Sequence, residues 1–336
     1  MSRPGIALAM HPGRTEHVLP DRLLDRLESL GRLLDREPLR TFADERARRI
    51  LPETEILITG WGAPYVGRDV LSAAVGLKII AHAAGTVKGL IDEDILRAGI
   101  AVSHAAEANA IPVAEFTLAA ILSAGKQVFR FRDTYVADRN RDRTHPMQKL
   151  AIGNYGRTVG IIGASRIGRR VIELLKPFNF KVILFDPTLG ASECAALGGE
   201  KADLDTLMRS ADIVSLHAPS LPSTHHMIDA QRLAMMKDGA TLINTARGAI
   251  IDEAALLATL STGRIDAIID VTDPEIPEPT SAFYDLPNVF LTPHIAGAVG
   301  LERTRLGEMA VDEIERYLSG QPLQYGITLS DLDKMA

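Results

Sequence analysis

Cysteine is almost missing from this sequence: Cys194 stands alone in 336 residues. A lone cysteine excludes an intramolecular disulfide framework and any cysteine-rich metal site, and agrees with a reducing, cytoplasmic setting. Long apolar runs are missing as well. None approaches the ~18 residues a membrane-spanning helix needs, and the apolar stretch at residues 6–10 is too short for a secretory signal core, so no membrane association is expected. Excess positive charge is absent. The net charge of −6 argues against nucleic-acid binding, yet leaves room for one local cationic pocket that takes a small anion. There is no repeat of solenoid period, no low-complexity tract, no Gly-x-Ser-x-Gly elbow, and no His/Asp/Glu set at zinc spacing, so no metal is expected. What remains is an ordinary globular composition, 46% hydrophobic and 24% charged, long enough for two domains.

Short β-rich runs alternate with amphipathic stretches along the whole chain, the pattern of βα units and parallel sheets. Strands are expected at 6–10, 56–59, 77–81 and 100–103, with helices at 21–34 and 92–98. A buried helix follows at 113–124, with Pro112 suited to its first turn. Residues 129–143 mix arginines and aspartates with aromatics, and read as a solvated or inter-subunit arm. The most regular section comes next. Six strands, at 159–162, 182–185, 213–217, 241–244, 267–271 and 289–291, are separated by helices at 167–176, 204–210, 231–236 and 253–260. Six strands with helical crossovers match the two mononucleotide halves of a doubly wound dinucleotide fold. Asp273 and Pro274 read as a loop at the sheet edge. Residues 301–318 read as one closing helix packed back on the N-terminal domain.

Gly163-Ala164-Ser165-Arg166-Ile167-Gly168 follows the first of those six strands. Gly163 suits the tight turn and Gly168 close helix–strand packing, while Ser165 stands where the dinucleotide fingerprint has its middle glycine. The helix N-terminus that follows offers N–H groups to phosphate. Asp186 ends the next strand, where a carboxylate accepts hydrogen bonds from adenine-ribose hydroxyls and repels a 2′-phosphate. That combination favours NAD over NADP. Three more polar residues each follow a strand on one sheet edge, where open α/β sheets bind ligands. Arg247 can clamp a carboxylate with its fork, His294 can transfer a proton, and Glu275 can orient the histidine. Asp273 and Glu278 compete with Glu275 for that last role. The other histidines, including the pair His225 and His226, read as structure or surface.

These segments resemble the D-isomer-specific 2-hydroxyacid dehydrogenase family. The resemblance rests on residues 163–168, Ser215-Leu216-His217-Ala218-Pro219, Asn244-Thr245-Ala246-Arg247-Gly248, Asp270-Val271 with Pro274-Glu275, and Leu291-Thr292-Pro293-His294-Ile295-Ala296-Gly297. It implies that Arg247 binds substrate, that His294 is the acid/base, and that Glu275 is its partner. It implies cofactor contacts from Arg166, Ile167, Asp186, His217, Pro219, Thr224, Thr245, Ala246, Asp270 and Gly297. Asn109 matches the family's asparagine near the active-site crossing. The loop Ala84-Gly85-Thr86-Val87-Lys88-Gly89 departs from the family's usual text, although Thr86 and Val87 can still present amides to a substrate carboxylate. The implied architecture is α/β: two doubly wound parallel-sheet domains, with an NAD-binding Rossmann domain (104–297) inserted into a discontinuous flavodoxin-like substrate domain (1–103 and 298–336). The chain's last residue, Ala336, leads to the expectation that the regulatory domain of some phosphoglycerate dehydrogenases is absent.

The leading expectation is therefore an NAD-dependent oxidoreductase acting on a small anionic 2-hydroxy or 2-oxo acid in a cleft between two domains. It is expected to be cytoplasmic and homodimeric. Two rivals are an NAD-sensing scaffold similar to the C-terminal-binding corepressors and an enzyme like formate dehydrogenase. The second is disfavoured because that relative carries a glutamine where Glu275 stands.

Overall fold

Two parallel sheets organise the computed structural model, which describes residues 3–332. The chain up to Asn109, resumed from Ala298, forms one unit, and Ala110–Gly297 forms the other. The expected domain ends at residues 1–2 and 333–336 lie outside the described residues.

The first unit holds β1 (Gly5–Ala9), β2 (Arg32–Leu33), β3 (Ile56–Thr59), β4 (Ile79–His82) and β5 (Ala101–His104), in the order β2-β1-β3-β4-β5. That order is flavodoxin-like, with its reversal between β1 and β3. β1, β3 and β4 are buried along their whole length, as expected of parallel strands covered on both faces. Their alternate residues serve two cores. Leu57, Ile80 and Val102 meet Leu51, Val70 and Ile95 on one face. Leu8, Ile58 and Ile79 meet Leu27, Leu306, Val311 and Ile314 on the other. The last three belong to the closing helix Thr304–Leu318, so the C-terminal segment completes the N-terminal core. Gly307 allows that approach, because a Cβ there would lie 1.8 Å from the Val18 carbonyl oxygen.

Several local expectations need correction. The helix expected at 21–34 ends at Leu30. Gly31 follows, where a Cβ would crowd the Pro4 carbonyl at 2.6 Å, and Arg32–Leu33 pairs with β1. Helical leucine spacing runs on through Leu33 and Leu34, so periodicity alone overshoots the end. The helix expected from 113 begins at Ala106 and runs to Gly125 with Pro112 inside it. The Ala106 amide donates to His104 Nδ1, a start signal outside the usual N-cap residues. At 20 residues this helix is long and apolar enough to cross a membrane by length and composition, contrary to expectation, and 56% of its apolar window is buried in the fold. The closing helix expected from 301 opens as a 3₁₀ turn at Gly300–Arg303. Helices at Glu45–Ile50, Arg68–Ala73 and Ala191–Leu197 were too short to declare a period.

The second unit holds β6 (Thr158–Ile162), β7 (Lys181–Phe185), β8 (Glu200–Lys201), β9 (Ile213–Leu216), β10 (Thr241–Asn244), β11 (Asp266–Ile269) and β12 (Val289–Leu291). They form one parallel seven-stranded sheet in the order β12-β11-β10-β9-β6-β7-β8, one strand more than expected. The extra strand, β8, is two exposed charged residues, which carry no apolar signal. Read from that edge the order is the Rossmann sequence 3-2-1-4-5-6 with one strand added, reversing between β6 and β9. The expected arm contains the helix Val128–Asp138, none of whose residues is buried.

Two buried histidines make stability depend on pH. Burial lowers His217 to about 3. Burial and then the neighbouring His104 lower His82 to about 4. As pH falls below ~6.5 the unfolded chain takes up protons that these rings refuse, so stability present at neutral pH is lost toward pH 4. The slope approaches ~1.4 kcal/mol per pH unit for each ring. Asp266, raised by burial, opposes this only at the acid end. Urea midpoints are expected to fall between pH 7 and 5, and to fall less in a variant carrying His82→Gln and His217→Gln. An equal slope in that variant would overturn the assignment.

Candidate active site

The turn after β6 is built by steric necessity. Gly163 has φ +97°, and a Cβ there would stand 2.6 Å from the Ala218 amide nitrogen; one on Gly168 would stand 2.1 Å from the Gly163 carbonyl oxygen. Ser165, in place of the fingerprint's middle glycine, is the N-cap of the helix Arg166–Leu175 and accepts from the Gly168 amide at 3.3 Å. Helix geometry leaves first-turn amides such as that of Ile167 without an intrahelical acceptor, aimed where phosphate binds. Asp186 follows β7. Its Oδ2 accepts from the Ala164 amide at 2.7 Å, and its Oδ1 accepts from the Thr188 amide and hydroxyl at 2.8 and 2.6 Å. Partial burial opposes ionisation, but the Thr188 hydroxyl and the two amides outweigh it and hold the carboxyl below its ordinary range. Three of about four acceptor positions are filled, which leaves one for a ribose hydroxyl.

Other expected cofactor residues sit around the same edge. The His217 ring is buried against Ser215 Oγ at 2.9 Å, and its amide donates to the Ile162 carbonyl at 2.7 Å. The Thr224 hydroxyl closes its own loop, accepting from the Leu221 amide and donating to the Pro219 carbonyl at 2.6 Å. Thr245 Oγ1 pairs with Thr117 Oγ1 at 3.0 Å. Gly297 is half-buried at the end of the second unit.

Arg247, Glu275 and His294 follow β10, β11 and β12, three neighbours in register with Asn244 opposite Ile269 and Ile269 opposite Leu291. At ~4.8 Å between strands, they emerge along one short stretch of the edge. Asn244 shapes the first exit, accepting from the Ala246 amide and donating to the Arg247 carbonyl. Arg247 itself is exposed and donates from a guanidinium nitrogen to the Ala246 carbonyl at 2.7 Å. Glu275 Oε1 is hydrogen-bonded to His294 Nδ1, with both side chains about half exposed. Of the three candidate acids it is Glu275, and neither Asp273 nor Glu278, that is hydrogen-bonded to the ring. With Nδ1 committed, His294 presents Nε2 outward. Its backbone has φ +56°, a strained conformation for a non-glycine residue.

Asp270 explains how that strain is held. Its carboxylate, 2% exposed, accepts from Thr292 Oγ1 at 2.6 Å and from the amides of Ile295 and Ala296 at 2.8 and 2.9 Å, and its carbonyl accepts from the His294 amide. Sequence reasoning expected Asp270 to meet the cofactor. The structure adds an anchoring role in the histidine loop, with three of about four acceptor positions of its carboxylate filled.

The expected substrate residues lie at the C-terminal edge of the first unit's sheet. Val87 is buried in the core, Thr86 Oγ1 accepts from the Lys88 amide, and Asn109 Oδ1 accepts from the Ala298 amide at 3.0 Å. His82, one of the histidines read as structure or surface, is buried at this edge with Nδ1 hydrogen-bonded to Thr59 Oγ1 at 2.9 Å.

The family model described as "D-isomer specific 2-hydroxyacid dehydrogenase, NAD binding domain" matches residues 118–296. The chain belongs to the D-isomer specific 2-hydroxyacid dehydrogenase family. It is 32% identical to the hydroxypyruvate reductase of Thermotoga maritima, over 87% of this chain and 95% of that one. It is also 32% identical to the D-3-phosphoglycerate dehydrogenase of Methanocaldococcus jannaschii, over 81% of this chain but 51% of the relative. The chain thus spans about half the length of such phosphoglycerate dehydrogenases. The apo D-mandelate dehydrogenase of Rhodotorula graminis superposes with a TM-score of 0.76 at 25% identity, covering 97% of this chain and 98% of that one.

The matched residues fall in the second unit, so the glycine turn and Asp186 belong to the NAD-binding domain of this family. The expected role of Asp186, a charge-assisted hydrogen bond to the ribose and repulsion of a 2′-phosphate, is open to test. In Asp186→Ala we expect the KM for NADH to rise about 10- to 100-fold, from the ~1.5–3 kcal/mol such a bond contributes, and the NADH/NADPH preference to shrink. An unchanged cofactor preference would remove Asp186 from this role. Asn244 and Thr292 shape the loops of this site, and sequence reasoning assigned neither a role. Asn244 lay in a quoted motif, but nothing in its spacing tells a turn-shaping amide from a ligand.

Proposed function

We propose that the protein is an NAD-dependent oxidoreductase that interconverts a D-2-hydroxy acid and its 2-oxo acid. The hydrogen bond between Glu275 and His294, in the chain that follows β11 and β12, with Arg247 following the next strand, β10, is the observation that carries this reading. The chemistry NADH supplies when bound is a hydride to the substrate's carbonyl carbon. The Arg247 guanidinium pairs with the substrate carboxylate and polarises the carbonyl. His294 donates the Nε2 proton to the oxygen as it becomes an alkoxide, and takes that proton back in the oxidative direction. Glu275, bonded to Nδ1, fixes the ring so that Nε2 carries the transferable proton. The amides of Thr86 and Val87 and the side chain of Asn109 are assigned to substrate on the family resemblance.

The test is NADH consumption with glyoxylate, hydroxypyruvate, pyruvate, 2-oxoglutarate and 3-phosphohydroxypyruvate, with NADPH as control. Turnover of at least one supports the reading. Binding of NADH with negligible turnover of every one would favour an NAD-sensing scaffold instead, and direct formate oxidation would favour the formate dehydrogenase alternative.

A homodimer in the cytoplasm belongs to the same proposal. Tyr135 and Val136 on the helix Val128–Asp138 are 54% and 56% exposed, apolar surface that a second copy would cover. Sedimentation is expected to give a dimer at micromolar concentration, and a monomer alone would refute it. The single cysteine, Cys194, is buried and free, which suits a reducing compartment.

A further inference from the structure

The first unit's sheet has its own reversal of strand order, between β1 and β3, and open α/β sheets take ligands at the carboxyl edge of such a point. The chain leaving β1 and the chain leaving β3 are tied together there, with the His11 amide donating to the Trp61 carbonyl at 3.0 Å. Trp61 is the only tryptophan of the protein. The Arg303 guanidinium carbon sits 5.6 Å from its ring centroid, within cation–π range. Arg303 reaches this place from the short helix opening the C-terminal segment, and its Nε donates to the Ala298 carbonyl at 3.4 Å. The Ala298 amide donates to Asn109, whose Nδ2 lies 3.9 Å from where a Cβ on Gly85 would stand. Trp61 and Arg303 are thus linked through Ala298 to Asn109, whose side chain lies beside Gly85 in the loop that carries Thr86 and Val87.

Charge around this pair is unbalanced. Among the described residues no carboxylate is ion-paired with Arg303, nor with Arg14, whose Cδ lies 3.5 Å from where a Cβ on Gly62 would stand. The acid next in the chain, Glu302, is turned to the Val299 amide at 3.0 Å. A guanidinium over an indole face still has N–H donors for an acceptor beyond the ring, and a carboxylate or a phosphate fits that fork.

We propose that Trp61 and Arg303 are specificity-determining residues that select 2-oxo acids bearing a second anionic group, carboxylate or phosphate, at the end remote from the 2-oxo carboxylate. This rests on the reading of the 84–88 loop as substrate-binding. Trp61 fixes the plane of the fork, and Arg303 supplies the charge.

The experiment compares kcat/KM for 2-oxoglutarate and 3-phosphohydroxypyruvate with that for pyruvate and glyoxylate, in the native protein and in Arg303→Gln and Arg303→Lys. The ratio of doubly to singly anionic substrates is expected to fall at least tenfold in Arg303→Gln, mainly through KM, and to be partly restored in Arg303→Lys. The two doubly anionic arms tell a carboxylate preference from a phosphate preference. A parallel titration of Trp61 fluorescence needs no turnover. Quenching by 2-oxoglutarate or 3-phosphohydroxypyruvate, weaker with pyruvate and lost in Arg303→Gln, supports the site even if the proposed oxidoreductase reading fails. An unaltered ratio in Arg303→Gln, or fluorescence that does not distinguish the two substrate classes, overturns the proposal.

Discussion

Replacing His294 is expected to lower kcat by about 10²–10⁴-fold, the usual contribution of a positioned general acid–base group, while NADH affinity stays within a few-fold. The expectation follows from geometry: Nδ1 is committed to Glu275, so Nε2 is the only nitrogen that can serve the substrate oxygen. The backbone complicates the choice of variant. At φ +56° an alanine keeps a strained conformation worth ~1–2 kcal/mol, whereas asparagine visits it readily. His294→Asn and His294→Ala should therefore lose turnover alike and differ only in stability. Steady-state kinetics and NADH fluorescence titration check both halves, and full turnover in either variant would eliminate His294 as the proton donor.

The second large effect is at Asp270. Alanine there leaves the Thr292 hydroxyl and the amides of Ile295 and Ala296 without the acceptor they now share. Each buried unsatisfied group costs ~1–3 kcal/mol, and the loop that forces His294 into its left-handed conformation loses its anchor. We expect Asp270→Ala to lose several kcal/mol of stability and about 10²-fold in kcat, with the larger change in kcat rather than in the KM for NADH. Asp270→Asn separates the terms. Its amide oxygen can still serve Thr292 and Ile295 when it takes the Oδ1 position, but its NH₂ faces the Ala296 amide, so an intermediate loss is expected. If Asp270 serves mainly to bind cofactor, the KM for NADH will rise first and kcat will hold. Denaturant midpoints measured beside the kinetics distinguish the two.

Much of the fold was legible because parallel sheets buried on both faces write unbroken apolar strands into the sequence. Ile56–Thr59, Thr241–Asn244 and Val289–Leu291 read directly. Two of the failures share a cause. β8 is two exposed charged residues, and the helix at Asp21–Leu30 is followed by leucines whose spacing continues its period although Gly31 breaks it against Pro4. In both places the deciding partner is distant in sequence. The start of the helix at Ala106 was missed for a different reason: a histidine two residues earlier, outside the usual N-cap types, supplies the capping acceptor.

Residue identity alone settled the chemistry that was available: a glycine turn where no Cβ fits, an acid after β7, and an arginine, a glutamate and a histidine each placed after a strand. Local sequence suffices for this, since strand exits in a parallel sheet all open on the same edge. Folding settled which groups meet. It joined Glu275 rather than Asp273 or Glu278 to His294, made Asp270 an anchor of the histidine loop, and laid Arg303 over Trp61. Hydrogen bonds and ring contacts depend on ångström distances between segments far apart in the chain, and spacing along a sequence does not encode them.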